Sequence, residues 1–106
     1  LTEATEGLID RSAIQKMKKS AILINVGRGP IIVEHDLYDA LVNDEIAGAG
    51  LDVLTKEPMD PENPLLKIQD SGKLIITPHI AWASHESRTR VIDITASHIK
   101  EFLASR

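Results

Sequence analysis

Ala21-Ile22-Leu23-Ile24-Asn25-Val26-Gly27-Arg28-Gly29 is the stretch on which the fold turns. Ala21 to Val26 runs apolar with little interruption, the mark of a strand buried on both faces of a parallel sheet. It ends in glycine, arginine, glycine, so the chain leaves the strand through a turn that carries a guanidinium. Working outward, two further stretches repeat the pattern. Ile46 to Val53 reads as a second strand, with Asp52 near its end and Glu57 close behind. Leu74 to Thr77 reads as a third, followed by Pro78 and His79. Between the first two, Glu34 to Asn43 carries Leu37, Ala40 and Leu41 at helical spacing. Strand, helix, strand, connection, strand is the order of an α/β parallel sheet.

The flanks complete the expectation. Thr2 to Gly7 reads as a loop. Asp10 is the expected N-cap of a short helix to about Lys18, with Ile9 as a hydrophobic staple and Lys16, Lys18 and Lys19 at the C-terminal end. Thr55 to Pro64 is a loop rich in proline and acid, and Pro64 to Gln69 is expected to form a helical turn. From Ser84 a long amphipathic helix is expected to about Ala104, with Val91, Ile94, Ala96, Ile99, Phe102 and Leu103 on its apolar face. Three strands make a thin sheet with few helices to cover it. Further strands are therefore expected ahead of Leu1, which is not an initiator methionine.

Composition narrows the class. A chain of 106 residues, 42% apolar and 26% charged, fits one small globular domain rather than a disordered segment. The net charge of −4, with no basic block, gives no electrostatic footprint for nucleic acid or an anionic membrane. No apolar stretch is long enough to span a bilayer. There is no cysteine, which suits a cytoplasmic location and removes disulfides and thiolate metal sites. His35, His85 and His98 are expected on helix surfaces, and none pairs with another at metal-binding spacing on one helix face, so no metal is expected.

Arg28, Asp52, Glu57 and His79 each follow an apolar run. In a parallel sheet such positions can gather at the crevice outside the carboxyl ends of the strands. A guanidinium, two carboxylates and an imidazole there can hold a carboxylate substrate and move a proton. Each has a plainer alternative: a loop arginine, a strand-end aspartate bonding nearby backbone, an acid beside Asp60 and Glu62, a solvated histidine. Trp82, the only tryptophan, has its own: packing under the last helix.

Asn25-Val26-Gly27-Arg28-Gly29, then Gly50-Leu51-Asp52-Val53 with Glu57-Pro58, then Thr77-Pro78-His79-Ile80-Ala81 resemble the D-isomer-specific 2-hydroxyacid dehydrogenases, in that order and over essentially the whole chain. The resemblance implies the second half of a Rossmann-type NAD-binding domain: a three-stranded parallel sheet with flanking helices in residues 1–83. Residues 84–106 would be the helix leading back toward a substrate domain. It implies that Arg28 clamps the substrate carboxylate, that His79 exchanges the proton and that Glu57 orients His79 and raises its pKa. Asp52 would meet the nicotinamide end of the cofactor, with Asn25, Val26 and Gly27 beneath the nicotinamide ribose. Ala81 and Trp82 would line the same pocket. The run His79 to Ser84 looks most like the glycerate dehydrogenase or hydroxypyruvate reductase branch, and Glu57 argues against the formate dehydrogenases, which carry glutamine there.

The family's glycine fingerprint and its ribose-reading acid are expected upstream of Leu1, and with them the choice of NAD over NADP. These residues alone are therefore expected to be inactive, within a parent expected to be a homodimer. Two other functions remain beside an NAD(H)-dependent reductase of small 2-keto acids. One is an NAD(H)-sensing binding module of the corepressor kind found in the same superfamily. The other is a metal hydrolase built on His79, Glu57 and Asp52.

Overall fold

The computed structural model describes all 106 residues. Three parallel strands, β1 (Ile22–Asn25), β2 (Gly48–Leu51) and β3 (Leu74–Ile76), lie in the order β1-β2-β3. Their register pairs Ile24 with Gly50 and Gly50 with Ile75. Because all three run the same way, their carboxyl ends share one rim, and Arg28, Asp52 and His79 all follow those ends. The ladder continues one step past β3, where Thr77 N–H donates to the Leu51 carbonyl at 2.9 Å.

Helices α1 (Arg11–Gln15) and α2 (Glu34–Val42) cover one face of the sheet. Asp10 caps α1 by accepting from Ala13 N–H at 2.9 Å. The helix stops at Gln15, short of the expected Lys18, because Lys16 and Met17 bond three residues back, to Ala13 and Ile14, and tighten the chain into a turn. Ile9, the expected staple, packs against the core cluster that holds Ile14 and also forms a parallel bridge with Ile32. The core gathers Ile14, Leu37, Leu41, Ile46, Leu51 and Leu65. Leu65 enters it from a 3-10 turn, Pro64–Lys67, capped by the Asn63 side chain.

The expectation that β1 is buried on both faces does not hold. Leu23 turns toward the core, whereas Ile22 and Ile24 are 68% and 69% exposed. Ile75 on β3 is exposed on the same side. Continuous apolarity in these strands therefore marks one covered face and one bare face within these 106 residues. The last helix, α3 (His85–Ala104), does not cover it. Ser84 caps α3 through Ser87 N–H at 3.1 Å, and no residue of the helix is buried. The expected apolar stripe forms but is open to solvent, with Val91, Ile99 and Phe102 all exposed. The molecule is correspondingly long, 58 × 27 × 27 Å.

Candidate active site

Three chain segments meet at the carboxyl rim: the turn after β1, the loop after β2 and the segment after β3. The first two are joined by Gly29. A Cβ there would lie 1.9 Å from the Leu54 carbonyl carbon and 2.3 Å from Thr55 N, so only glycine allows the two backbones to touch. Neither Gly27 nor Gly29 has a positive φ; Gly29 serves close approach, whereas a Cβ at Gly27 would meet only ordinary contacts, 3.5 Å from Asn25 Oδ1 and 3.6 Å from Ile31 Cδ1. The turn is shaped by Asn25, which is buried. Its side chain accepts from Gly27 N–H at 3.0 Å and donates to the Arg28 carbonyl at 2.8 Å.

The loop after β2 is held by Glu34 at the start of α2. One Glu34 oxygen accepts from Thr55 N–H and the other from the Asn63 side chain. That leaves Glu57 at a fixed place on the rim. One of its oxygens accepts from Leu54 N–H at 3.0 Å, and the other lies 2.7 Å from His79 Nδ1. The bond to His79 is the main cause holding the Glu57 carboxyl below its ordinary pKa. The Leu54 N–H and the positive charges of His79 and Arg28 add to it. An ionised Glu57 can only accept, so Nδ1 carries the hydrogen of this bond and Nε2 is the nitrogen left to exchange a proton.

His79 itself has φ 57°, left-handed and unusual for a residue with a side chain. Its surroundings explain how it is kept there. Asp52, only 5% exposed, accepts from Thr77 Oγ1 at 2.5 Å, from Ile80 N–H at 2.9 Å and from Ala81 N–H at 2.9 Å. Trp82 Nε1–H donates to the His79 carbonyl at 2.7 Å. The Thr77 hydroxyl is the main cause of a lowered Asp52 pKa. Desolvation opposes it, and the Ala81 and Ile80 N–H groups and the His79 charge reinforce it.

A cleft of about 340 Å³ opens beside the His79–Glu57 pair, lined also by Leu54, Met59 and Ile76. A second, of about 380 Å³, lies on the bare sheet face, where Ile24, Val26, Ile75, Ile80 and Ala81 make an apolar floor with Asp52 at its end. The rim thus brings Glu57, His79 and Asp52 into direct or one-residue contact. Val26, Asp52 and Ala81 share the second cleft. Asn25 is occupied in shaping the turn, and its carbonyl accepts from Asp52 N–H at 3.0 Å. Arg28 is exposed and bonds its own neighbour, the Gly27 carbonyl, through Nη1 at 2.9 Å, but its charge reaches Glu57. Trp82 is 60% exposed rather than packed under α3. His35, His85 and His98 are exposed on α2 and α3, as expected.

Glu34, Thr77 and the side-chain role of Asn25 were not legible as site features. Thr77 does stand immediately before the Pro78-His79 pair, and a hydroxyl at that spacing from a strand-end acid is the only signal the sequence offers.

An apolar floor with one carboxylate at its end suits a flat aromatic amide. Asp52 Oδ2 accepts a single bond, from Ala81, and so keeps capacity for an amide N–H.

The profile described as D-isomer specific 2-hydroxyacid dehydrogenase, NAD binding domain, matches residues 1–81. A hydroxypyruvate reductase of Blautia hydrogenotrophica is 50% identical over 99 residues, 93% of this chain and 30% of that protein. A solved acyclic imino acid reductase in complex with NADPH and D-Arg superposes with TM-score 0.84 at 32% identity, over 99% of this chain and 32% of that one. The NAD-complexed D-isomer specific 2-hydroxyacid dehydrogenase of Lactobacillus delbrueckii ssp. bulgaricus gives TM-score 0.78 at 31% identity, over 99% and 35%. The chain spans about a third of the length of such relatives.

Proposed function

This chain belongs to the D-isomer-specific 2-hydroxyacid dehydrogenase family, within its NAD-binding domain, and from that premise we propose that it serves a nicotinamide-dependent reductase of small 2-keto acids. The substrate pair is hydroxypyruvate and D-glycerate, the chemistry carried in name by the hydroxypyruvate reductase of Blautia hydrogenotrophica. Residues 1–83 form the later portion of the nucleotide domain, and 84–106 the helix toward a substrate domain.

The observation that carries this reading is the His79–Glu57 pair, 2.7 Å apart at the rim where the strands end. Reduction of a 2-keto acid needs a hydride at C2 and a proton on the oxygen. Bound NAD(H) supplies or accepts the hydride. His79 Nε2 gives the proton to the oxygen as its charge develops, and takes it back in the oxidative direction. Glu57 fixes the orientation of the ring through Nδ1. Arg28 swings from the Gly27 carbonyl to hold the substrate carboxylate with a planar fork. Val26 and Ala81 would offer apolar contact to the nicotinamide end of the cofactor and Asp52 would accept from its amide, while Trp82 lines neither cleft.

The deciding experiment is NADH and NADPH oxidation, followed by absorbance, by the protein that carries this chain. Hydroxypyruvate should be reduced faster than pyruvate, and the 106 residues alone should turn over neither. Cofactor binding without reduction of any 2-keto acid would defeat the reading in favour of an NAD(H) sensor.

A further inference from the structure

His79 is the proposed proton carrier, and it makes three bonds of its own: Nδ1–H donates to Glu57, its backbone N–H donates to the Thr77 carbonyl at 3.0 Å, and its carbonyl accepts from Trp82 Nε1–H at 2.7 Å. The residues on either side add to the holding. Thr77 precedes it by two and Ile80 and Ala81 follow it, and all three donate to one buried carboxylate, Asp52. Two of these donors, Thr77 Oγ1 and Ile80 N–H, share a single oxygen, Oδ1. The left-handed φ at His79 is the bend that lets both flanks reach the same acid. Left-handed conformations at residues with side chains persist when neighbouring contacts over-determine them.

We infer that Thr77 is a positioning residue for the proton-transfer histidine: its hydroxyl, through Asp52, fixes the bend that points His79 Nδ1 at Glu57. Trp82 closes the same bend from the other side through the His79 carbonyl. The inference rests on the reading of His79 and Glu57 as a working pair, and goes beyond it by giving Thr77 a role and Asp52 a second one.

The charges acting at the pair come from three segments: Arg28 after β1, Asp52 and Glu57 after β2, and His79 after β3. Thr77 carries no charge, so replacing it changes this field only by moving the others. Thr77→Val keeps the shape and removes the donor; Thr77→Ser keeps the donor.

The test is an NMR titration of the Glu57 side-chain carboxyl carbon in the 106-residue chain, which needs no turnover. In the unsubstituted chain the midpoint should lie below the ordinary glutamate value of about 4.3. In Thr77→Val it should move up toward that value, and in Thr77→Ser it should stay low. The methyl signals of Leu37 and Leu41 report that the core is intact. Should Thr77→Val not fold, Thr77→Ala decides instead. It also removes the hydroxyl donor, and the same upward movement is expected. A low midpoint retained in a folded Thr77→Val chain, or in Thr77→Ala where that variant decides, overturns the positioning role alone. An ordinary midpoint in the unsubstituted chain overturns the His79–Glu57 pair and with it both readings.

Discussion

His79 at φ 57° shows how a side chain can be aimed by its neighbours' backbone. The imidazole meets Glu57 through Nδ1, so the proton exchange proposed for it falls to Nε2. His79→Gln keeps a donor of similar length and loses the exchangeable proton. In the protein that carries this chain, kcat for 2-keto acid reduction should fall by about two to four orders of magnitude. Steady-state kinetics with an unchanged kcat would remove His79 from the reaction. Asp52 offers a second residue-scale expectation, one of stability. Its folded-state pKa lies below its unfolded value. The stabilisation this gives is therefore fully present above the ordinary aspartate pKa, about 3.9. It is lost as pH falls through the depressed value, because the unfolded chain takes up the proton first. Glu57 behaves with the same sign. Asp52→Asn should therefore flatten the acid limb of a stability-versus-pH curve measured by urea unfolding. A limb as steep as before would mean that this carboxylate binds protons equally in both states.

At the scale of elements, the rim depends on backbones touching where side chains are absent. Gly29 lies against Leu54 and Thr55, and that contact brings the arginine turn up to the glutamate loop. Gly29→Ala inserts a methyl where no space exists, and the rigid neighbour is backbone rather than a movable side chain. Destabilisation of about 1–3 kcal/mol is expected from overpacking, read as a lower urea midpoint. Crosspeak shifts should be confined to residues 26–31 and 53–58. A midpoint equal to the parent's would show that the two segments separate without cost. The same contact explains what the sequence could and could not convey. Apolar runs located all three strands, Asp10 announced its helix as a cap, and apolar periodicity placed the last helix from Ser84, because those signals are local and periodic. The spacing of Asp52 and Thr77, 25 residues apart, has no period, and neither does that of Glu34 and Thr55. Hydrogen bonds between separate crossovers follow from the folded register, and no local pattern encodes them. Burial failed for a related reason. Ile22 and Ile24 are as apolar as Leu23, and only the placement of α1 and α2 decides which of them is covered.

The whole molecule is a sheet covered on one side with a helix standing clear of it. The two surfaces left open are both apolar: Ile22, Ile24 and Ile75 on the sheet, and Val91, Ile94, Ile99 and Phe102 on α3. A helix of 20 residues is about 30 Å long, which accounts for much of the 58 Å long axis. Helices of this length without tertiary packing are marginal in water, since most helical stability in proteins comes from a buried face. Ser84 caps the first turn and Glu86 suits the positive end of the dipole, but the last turn has no basic residue. The cap holds one end, and every residue from Val91 to Ala104 is exposed. Hydrogen exchange at low protein concentration should therefore separate the chain into two classes. Amides of α2, whose Leu37, Ala40 and Leu41 are buried, should exchange only through opening of the core. Amides from about Val91 to Ala104 should exchange orders of magnitude faster, with free energies of opening near zero. Protection in α3 equal to that in α2, and independent of concentration, would mean that the helix has found a surface to cover within its own chain.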